Sequence, residues 1–485
     1  MTGGISRRLE SITPGRLTFV GVLVLLAGTV VYFLFRFYFP PITRYLFFGG
    51  AAFLAVFFLR PYPSFWMLAM PTVFMAGGAT IPFGDFNPAV ATIALFGFTL
   101  FFVADRLLWN RPLFVPSRPL FWLFAALAVQ VCSIFISIHI IGQYHVNAVR
   151  EGFGLYLFIP MAVMVPVLCS DDDRMLLVLR AVVVALLAAS AIGVAQYFSI
   201  TEFSRVDMGL GYVYRGRVSS LFGSGNIFAG YLELTIPLAV ALLFRDRSAV
   251  WKAVSLTAAL LGMLSVLYTF SRGGLVSVFL GVGLTLMYIF RSRPWIPVVI
   301  GALAVLLLVQ NADTFERQMS FFVNPQEQIT QPTILHRYVS YRGFVQQIRE
   351  SPIFGVGWGA REHFWGRSRL YSFWEVRHVV STGAVRLFGG LNSLFFNQAV
   401  KGGAVGLLSV LMMFAAVYSA FLGAMRRSIE KVVAVAATAG IFSFMVHLLV
   451  DSFIIFPTVN SAFWISVGIL LTALARGREE PSVST

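Results

Sequence analysis

The chain alternates between long apolar runs and shorter polar segments. An α-helix needs roughly 20 residues to cross a bilayer, and fourteen apolar runs reach or approach that length. They cover residues 17–35, 45–59, 64–79, 88–104, 119–141, 152–169, 175–198, 227–244, 250–269, 274–290, 295–310, 403–424, 431–450 and 458–475. The second run is short and the third contains Pro71, so the pattern predicts about 12–14 transmembrane helices.

Composition supports the same class of protein. The chain is 58% apolar and only 12% charged, with a mean hydropathy of +0.82. A soluble domain carries about twice that charged fraction. The predicted fold class is an all-α polytopic integral membrane protein. Its net charge of +15 is typical of basic cytoplasmic loops, and we expect no nucleic acid as a partner.

One long polar stretch, residues 311–390, interrupts this pattern. Loops of that length are usually functional or disordered, and this one holds aromatic and helix-forming segments, which favours a folded, functional region. We expect it to cap the bundle. The predicted organisation is transmembrane helices over 1–310, a periplasmic loop domain over 311–390, further transmembrane helices over 391–475, and a cytoplasmic tail over 476–485.

Lys and Arg set the predicted orientation. With the N-terminus in the cytoplasm, the cytoplasmic segments hold more than twice as many Lys and Arg residues as the outer segments, leaving out the long loop. Two spans separate Arg217 from Arg272, and two more separate Arg272 from residues 311–390. These three segments are therefore predicted to lie on one face, outside the membrane.

Two outer segments carry the chemistry expected of an anion site. Residues 215–226 combine Arg215 and Arg217 with glycines and serines, and lead through Asn226 into the eighth run. Guanidinium groups suit phosphate, and free backbone N–H groups at a helix start also favour anions. Arg272 lies between two apolar spans with almost no loop, where a charge is by default a functional hypothesis. The alternative is that these arginines meet lipid headgroups.

Three further segments hold polar candidates. In the long loop, Arg337 heads a predicted amphipathic helix, and His378 follows a run of aromatic and Arg residues that suits sugar rings or packs the loop onto the bundle. Asn392 precedes the next span. Asp451, four residues after His447, lies near the outer end of the thirteenth run, where it serves as a base, as an Arg partner, or only structurally. No metal-ligand spacing or nucleotide-binding motif stands out, so we expect no metal and no cofactor.

Taken together, these segments resemble the O-antigen ligase and O-antigen polymerase superfamily over roughly residues 200–475. The resemblance is carried by five motifs in order. They are Arg217…Phe222…Asn226-x-x-Ala229, Ser271-Arg272-Gly273-Gly274, Arg337 followed by Pro352-x-x-Gly355-x-Gly357, Asn392-Ser393…Gly403-x-x-Gly406, and His447…Asp451.

The resemblance implies a bacterial inner-membrane enzyme with its active site facing the periplasm. Such a protein is an inverting, metal-independent glycosyltransferase that moves a glycan from an undecaprenyl-diphosphate-linked oligosaccharide to a hydroxyl of an acceptor glycan or glycolipid. Arg217 and Arg272 match the family's essential arginines, which bind the diphosphate and stabilise its growing charge.

The sequence departs from the ligases at one position. Ligases carry His where this chain has Asn392, and Asn cannot act as a general base near neutral pH. His378, Glu375, His336 and Asp451 are the remaining candidates. This departure favours a polymerase of surface or secreted polysaccharide, with the ligase as the alternative. A polysaccharide transporter or flippase, or a non-enzymatic assembly protein, is a further alternative, although the unusual charge on one outer face disfavours transport.

Overall fold

The structure, a computed structural model, describes most of the chain beyond residue 111. The described residues are 112–143, 145–169, 171–198, 217–222, 224–293, 344–359, 393–427 and 430–476, with single positions at 95, 99, 102, 103, 106, 107 and 295. The predicted spans at 17–35, 45–59 and 64–79 lie outside these residues. So do nearly all of those at 88–104 and 295–310.

All regular elements in the described residues are helices, and these residues contain no strand. The helices are α1 (Arg118–His139), α2 (His145–Phe153), α3 (Ile159–Leu168), α4 (Asp172–Tyr197), α5 (Gly225–Arg245), α6 (Ala249–Thr269), α7 (Arg272–Ile289), α8 (344–350), α9 (Leu394–Arg427), α10 (Lys431–Leu448) and α11 (Pro457–Arg476). Counting α2 and α3 as one broken span, nine helical segments in this part of the chain are long and apolar enough to cross a membrane. The predicted all-α polytopic membrane fold is confirmed.

Helices α5 and α11 form the centre of the bundle. Both are apolar around most of their circumference, which is typical of a helix surrounded by other helices. Helix α5 packs against α4, α6, α7, α10 and α11, and α11 also packs against α3 and α9. Helices α1, α6 and α7 keep larger exposed apolar surfaces, as expected of helices that face lipid.

Charged side chains gather at one end of the bundle. There Glu430, before α10, accepts hydrogen bonds from Arg245 at the end of α5 and from Arg476 at the end of α11. Asp172, at the start of α4, also pairs with Arg476. We call this the basic end. Consecutive helices run in opposite directions, so the start of α5, the end of α6 and the start of α7 lie at the other end, which we call the site end.

Helix α9 is interrupted at Gly403, where φ is 61° and ψ is −153°. This backbone conformation is essentially restricted to glycine. The break leaves backbone N–H and C=O groups of α9 without partners in the helix, and residues 352–357 form hydrogen bonds with them. The N–H groups of Val356 and Gly357 donate to the carbonyls of Val400 (2.8 Å) and Lys401 (3.0 Å), and Ala404 N–H donates to Pro352 (2.8 Å). Irregular backbone in a membrane protein is tolerated where other protein groups satisfy it, as they do here.

Trp358, which follows residues 352–357, connects this segment to α1 through two hydrogen bonds. Its indole N–H donates to the Ser133 hydroxyl (3.0 Å), its backbone N–H donates to the Ser137 hydroxyl (3.1 Å), and its side chain is fully buried. The part of the long loop that the structure describes therefore packs onto the bundle. After α8 the chain turns at residues 351–359, which include Gly355 and Gly357 of the third motif.

A second irregularity is the turn of 3-10 helix over Gly154–Tyr156, which joins α2 to α3. Asn460 forms hydrogen bonds with backbone groups of this turn. Its side-chain amide is completely buried. It donates to the carbonyls of Gly154 (3.1 Å), Leu155 (2.9 Å) and Ile454 (2.8 Å), and accepts from Phe158 N–H (3.1 Å). One amide on the central helix thus satisfies backbone groups from two neighbouring segments, as buried polar groups require.

Candidate active site at the site end

Arg217 lies just before α5 and is anchored to the end of α6. Its Nε donates to the Thr269 carbonyl (2.9 Å), and one Nη donates to Asn226 Oδ1 (2.7 Å) and lies 3.5 Å from the Phe270 carbonyl. The last carbonyls of a helix lack partners within the helix, and a cation there also complements the helix dipole. The end of α6 therefore holds the Arg217 side chain in one orientation, half-buried at the site end.

Asn226 connects Arg217 to Asp451. It stands in the first turn of α5, and its Nδ2 donates to Asp451 Oδ2 at 2.8 Å. The other Asp451 oxygen accepts from the backbone N–H of Ser452 at 2.8 Å. An amide is suited to this position because it can accept from a cation on one side and donate to an anion on the other. Arg217, Asn226 and Asp451 form a hydrogen-bonded chain across three separate parts of the sequence, here called the Arg217 chain.

Arg272 is the first residue of α7, two residues after the Phe270 carbonyl that Arg217 approaches. The helix is capped by Ser271, whose hydroxyl accepts from Gly274 N–H at 3.3 Å. A helix N-terminus carries partial positive charge, and an Arg there adds to it instead of neutralising it. Arg217, Arg272 and the start of α7 therefore place positive charge at the site end, beside the carboxyl group of Asp451, and such an arrangement can bind an anion.

Below these groups lies a buried pair that the sequence analysis missed in part. His447 Nδ1 is 2.5 Å from Glu233 Oε1, and the two side chains are 3% and 0% exposed. The motif His447…Asp451 points to the histidine, whereas no motif includes Glu233, a carboxyl group inside the apolar run of α5. That position was itself the signal, because ionisable residues within membrane spans are rare and usually functional.

The start of α9 closes one side of this region. Leu394 N–H donates to the Asp451 carbonyl at 3.1 Å, and the Ser393 hydroxyl donates to the Leu448 carbonyl at 3.4 Å. Asn392 immediately precedes Ser393, but it lies outside the described residues. Arg215, Arg337 and His378 also lie outside them, as do His336 and Glu375. Of the eight predicted site residues, the structure thus describes Arg217, Asn226, Arg272 and Asp451, and links the first, second and fourth directly.

Comparison with known families bears on these residues. Residues 256–411 match a family model described as O-antigen ligase. The predicted resemblance to the O-antigen ligase and polymerase superfamily is confirmed. The matched segment includes Arg272, the 352–357 segment and the break at Gly403. Arg217, Asn226 and Asp451 lie outside it, but Arg217 contacts it at Thr269 and Asp451 contacts it at Leu394. No curated protein matches the chain in sequence.

Proposed function

We propose that this protein is a membrane glycosyltransferase that takes a glycan from an undecaprenyl-diphosphate carrier and attaches it to an acceptor hydroxyl. The observation that carries the proposal is the meeting of Arg217 and the start of α7 at the site end. Arg217 donates hydrogen bonds to the Thr269 carbonyl and to Asn226, and also approaches the Phe270 carbonyl. Arg272, two residues after Phe270, is the first residue of α7. The match to the O-antigen ligase family supports a lipid-linked glycan as substrate.

The proposed step is a single displacement. The acceptor oxygen attacks the anomeric carbon of the donor sugar as the bond from that carbon to the diphosphate oxygen breaks, so the configuration inverts. The electron pair of the broken bond leaves with the diphosphate, whose extra negative charge the two arginines stabilise. Donors fixed in place before the reaction are effective because they need no rearrangement in the transition state.

The acceptor hydroxyl must lose its proton during this step. Asp451 already accepts hydrogen bonds from Asn226 and from Ser452 N–H, which supports a role in anchoring the Arg217 chain. We therefore keep His378 as the proposed general base, since the unperturbed pKa of histidine is close to the working pH. Asn392 and Arg337 are proposed to bind substrate, as are Arg215 and Asn226.

Two acceptors fit the proposal. Asn392 stands where ligases have His, which favours a polymerase acting on a second carrier-linked repeat unit. The family match is described as O-antigen ligase, which favours transfer to lipid A–core as the second candidate. Both reactions need the same diphosphate site on the periplasmic face of the inner membrane, and they differ in the product.

Glycolipid analysis of a strain that lacks the protein tests the proposal. A polymerase defect leaves single repeat units on their carrier or on lipid A, whereas a ligase defect leaves long chains not attached to lipid A. Arg217→Ala and Arg272→Ala should reproduce the null phenotype at normal membrane levels. Arg→Lys at either position should also lose most activity, because a point charge replaces a planar fork. Normal glycolipids in both Ala variants would rule out the proposed diphosphate site.

A further inference from the structure

Glu233 and His447 are buried at the interface of α5 and α10, directly below the Arg217 chain. Asn226 and Glu233 are seven residues apart on α5, about two helical turns or roughly 10 Å, and therefore lie on the same face. His447 and Asp451 are four residues apart, with Asp451 N–H donating to the His447 carbonyl at 3.0 Å. The two segments thus meet through two polar contacts, with Asn226–Asp451 nearer the surface and Glu233–His447 deeper.

The histidine ring also touches the start of α7. A Cβ atom placed on Gly273 would lie 2.6 Å from His447 Cδ2 and 2.7 Å from Nε2, so the ring edge rests against the backbone of the residue that follows Arg272. Phe453 packs against the ring from a third direction, with centroids 4.6 Å apart at 71°. The position of the imidazole is therefore fixed by contacts with Glu233, Gly273 and Phe453.

Burying the Glu233–His447 pair costs more free energy than burying two apolar side chains of similar size. Burying two ionisable groups is expensive even when they are paired, and the second carboxyl oxygen of Glu233 has no hydrogen-bond partner in the described part of the chain. Packing alone does not require Glu at position 233. A buried polar pair does, however, fix the orientation of the ring more strictly than apolar contacts, because a hydrogen bond is directional.

We propose that Glu233 and His447 are positioning residues for Arg272. Glu233 orients the His447 ring, the ring supports the backbone at Gly273, and this support fixes the direction in which the first residue of α7 presents its guanidinium group. The inference rests on the proposed diphosphate site and adds the groups that hold it in place. Neither residue touches the substrate in this scheme.

The test measures binding of farnesyl diphosphate to the purified full-length protein in detergent, with farnesyl monophosphate as the reference ligand. Glu233→Gln keeps the size of the side chain but replaces its carboxyl group with an amide, which holds the His447 ring less firmly, and should weaken diphosphate binding about tenfold. It should lower the rate of transfer by roughly 10²-fold, the usual result of a misplacement near 1 Å. Monophosphate binding should change less.

Glycines on one helix supply a matched pair of variants. Gly273→Ala places a methyl group against His447 and should weaken diphosphate binding as Glu233→Gln does. Gly283→Ala lies on the same helix with no atom within 4 Å of the added carbon, and should bind the diphosphate as the unmodified protein does. Should Glu233→Gln not fold, this pair carries the test, and equal binding by Gly273→Ala and Gly283→Ala would overturn the inference.

Double variants separate positioning from a general effect on folding. In an Arg272→Lys background, Glu233→Gln should cause no further loss of diphosphate binding, whereas in an Arg217→Lys background it should still cause its full loss. The same loss in both backgrounds would show a merely structural role. If Arg217→Ala and Arg272→Ala leave diphosphate binding intact, the proposed function itself fails, which is a different result from normal binding by the Glu233 and Gly273 variants alone.

Discussion

At the scale of single residues, Asn226 is constrained on both sides by its hydrogen bonds. It accepts from Arg217 at 2.7 Å and donates to Asp451 at 2.8 Å, so its two amide atoms are used in opposite senses. Asn226→Asp places two carboxylates against each other and should lower transfer by about 10²-fold. Asn226→Asp combined with Asp451→Asn restores one amide and one carboxylate in exchanged places, and should recover part of the activity.

The exchange also decides the role of Asp451. Recovery in the double variant, measured as polymer formed per amount of protein in the membrane, shows that Asp451 anchors Arg217. An inactive double variant, alongside an inactive Asp451→Asn, would instead identify Asp451 as the base. Ser461→Ala, a change of a buried hydroxyl that bonds only within α11, serves as a control for effects of altering buried polar groups.

His378 gives a second prediction at this scale. If it takes the proton from the acceptor, His378→Ala should lower transfer by roughly 10²–10⁴-fold, the usual contribution of general base catalysis. Binding of the diphosphate donor should be unchanged, because the proposed donor site uses other residues. Activity in His378→Ala together with inactivity in Glu375→Ala would move the role to that carboxylate.

The sequence identified several residues of the candidate site but not the contacts between them. Arg217 was identifiable because it lies among glycines and serines that lead into a span. Arg272 was identifiable because it lies between two spans with almost no loop, and Asp451 because it follows His447 at a span end. The link through Asn226 was not predictable, since residues 225 positions apart meet only after α5 and α10 pack. Glu233 was visible as a lone carboxyl group in an apolar run, but its partner depends on the same packing.

At the scale of elements, the break in α9 carries a prediction. Gly403 has φ of 61°, and a Cβ atom there would lie 2.3 Å from the backbone of Ile353. Gly403→Ala should therefore strain the backbone by about 1–3 kcal/mol and push residues 352–357 out of the break. We expect a lower unfolding temperature and less protein recovered in detergent. Gly283→Ala should unfold at the normal temperature, and an equal effect from both would contradict this account.

Element boundaries were largely predictable from hydropathy. All but one of the described spans agree with the predicted ones within a few residues, because apolar length is the main requirement of a helix in a bilayer. The predicted span over 403–424 starts at Gly403, which the structure shows to be a break within a longer helix. Hydropathy could not show that a helical segment precedes the break, since the support for it comes from residues 352–357.

At the scale of the whole molecule, the two ends of the bundle should face different compartments. In a background without Cys132 and Cys169, single cysteines at His145 and at Lys252 should differ in labelling of intact cells by an impermeant thiol reagent. Both positions are exposed, the first at the site end and the second at the basic end. We expect His145→Cys alone to react, because loops rich in Lys and Arg remain in the cytoplasm. Labelling of Lys252→Cys alone would invert the proposed topology.

Metal dependence is also a property of the whole molecule. The described residues contain no group of three or more His, Cys, Asp and Glu side chains arranged to hold a metal ion. We expect transfer to continue in EDTA, since in the proposed mechanism two arginines supply the positive charge. The assay is polymer formation by purified protein with and without chelator. Complete loss that added Mg²⁺ or Mn²⁺ reverses would contradict the prediction.

The Glu233–His447 contact has a consequence for how the protein is made. The two residues are 214 positions apart, and synthesis at about 5–20 residues per second separates their appearance by roughly 10–40 seconds. During that interval α5 has a carboxyl group inside an apolar segment and no histidine to meet it. Exposure of this carboxyl group to lipid costs free energy. We therefore expect α5 to pack against α4 and α6, or to remain in the insertion machinery, until α10 is inserted. The Glu233–His447 contact of the candidate site can therefore form only after α10 has been made.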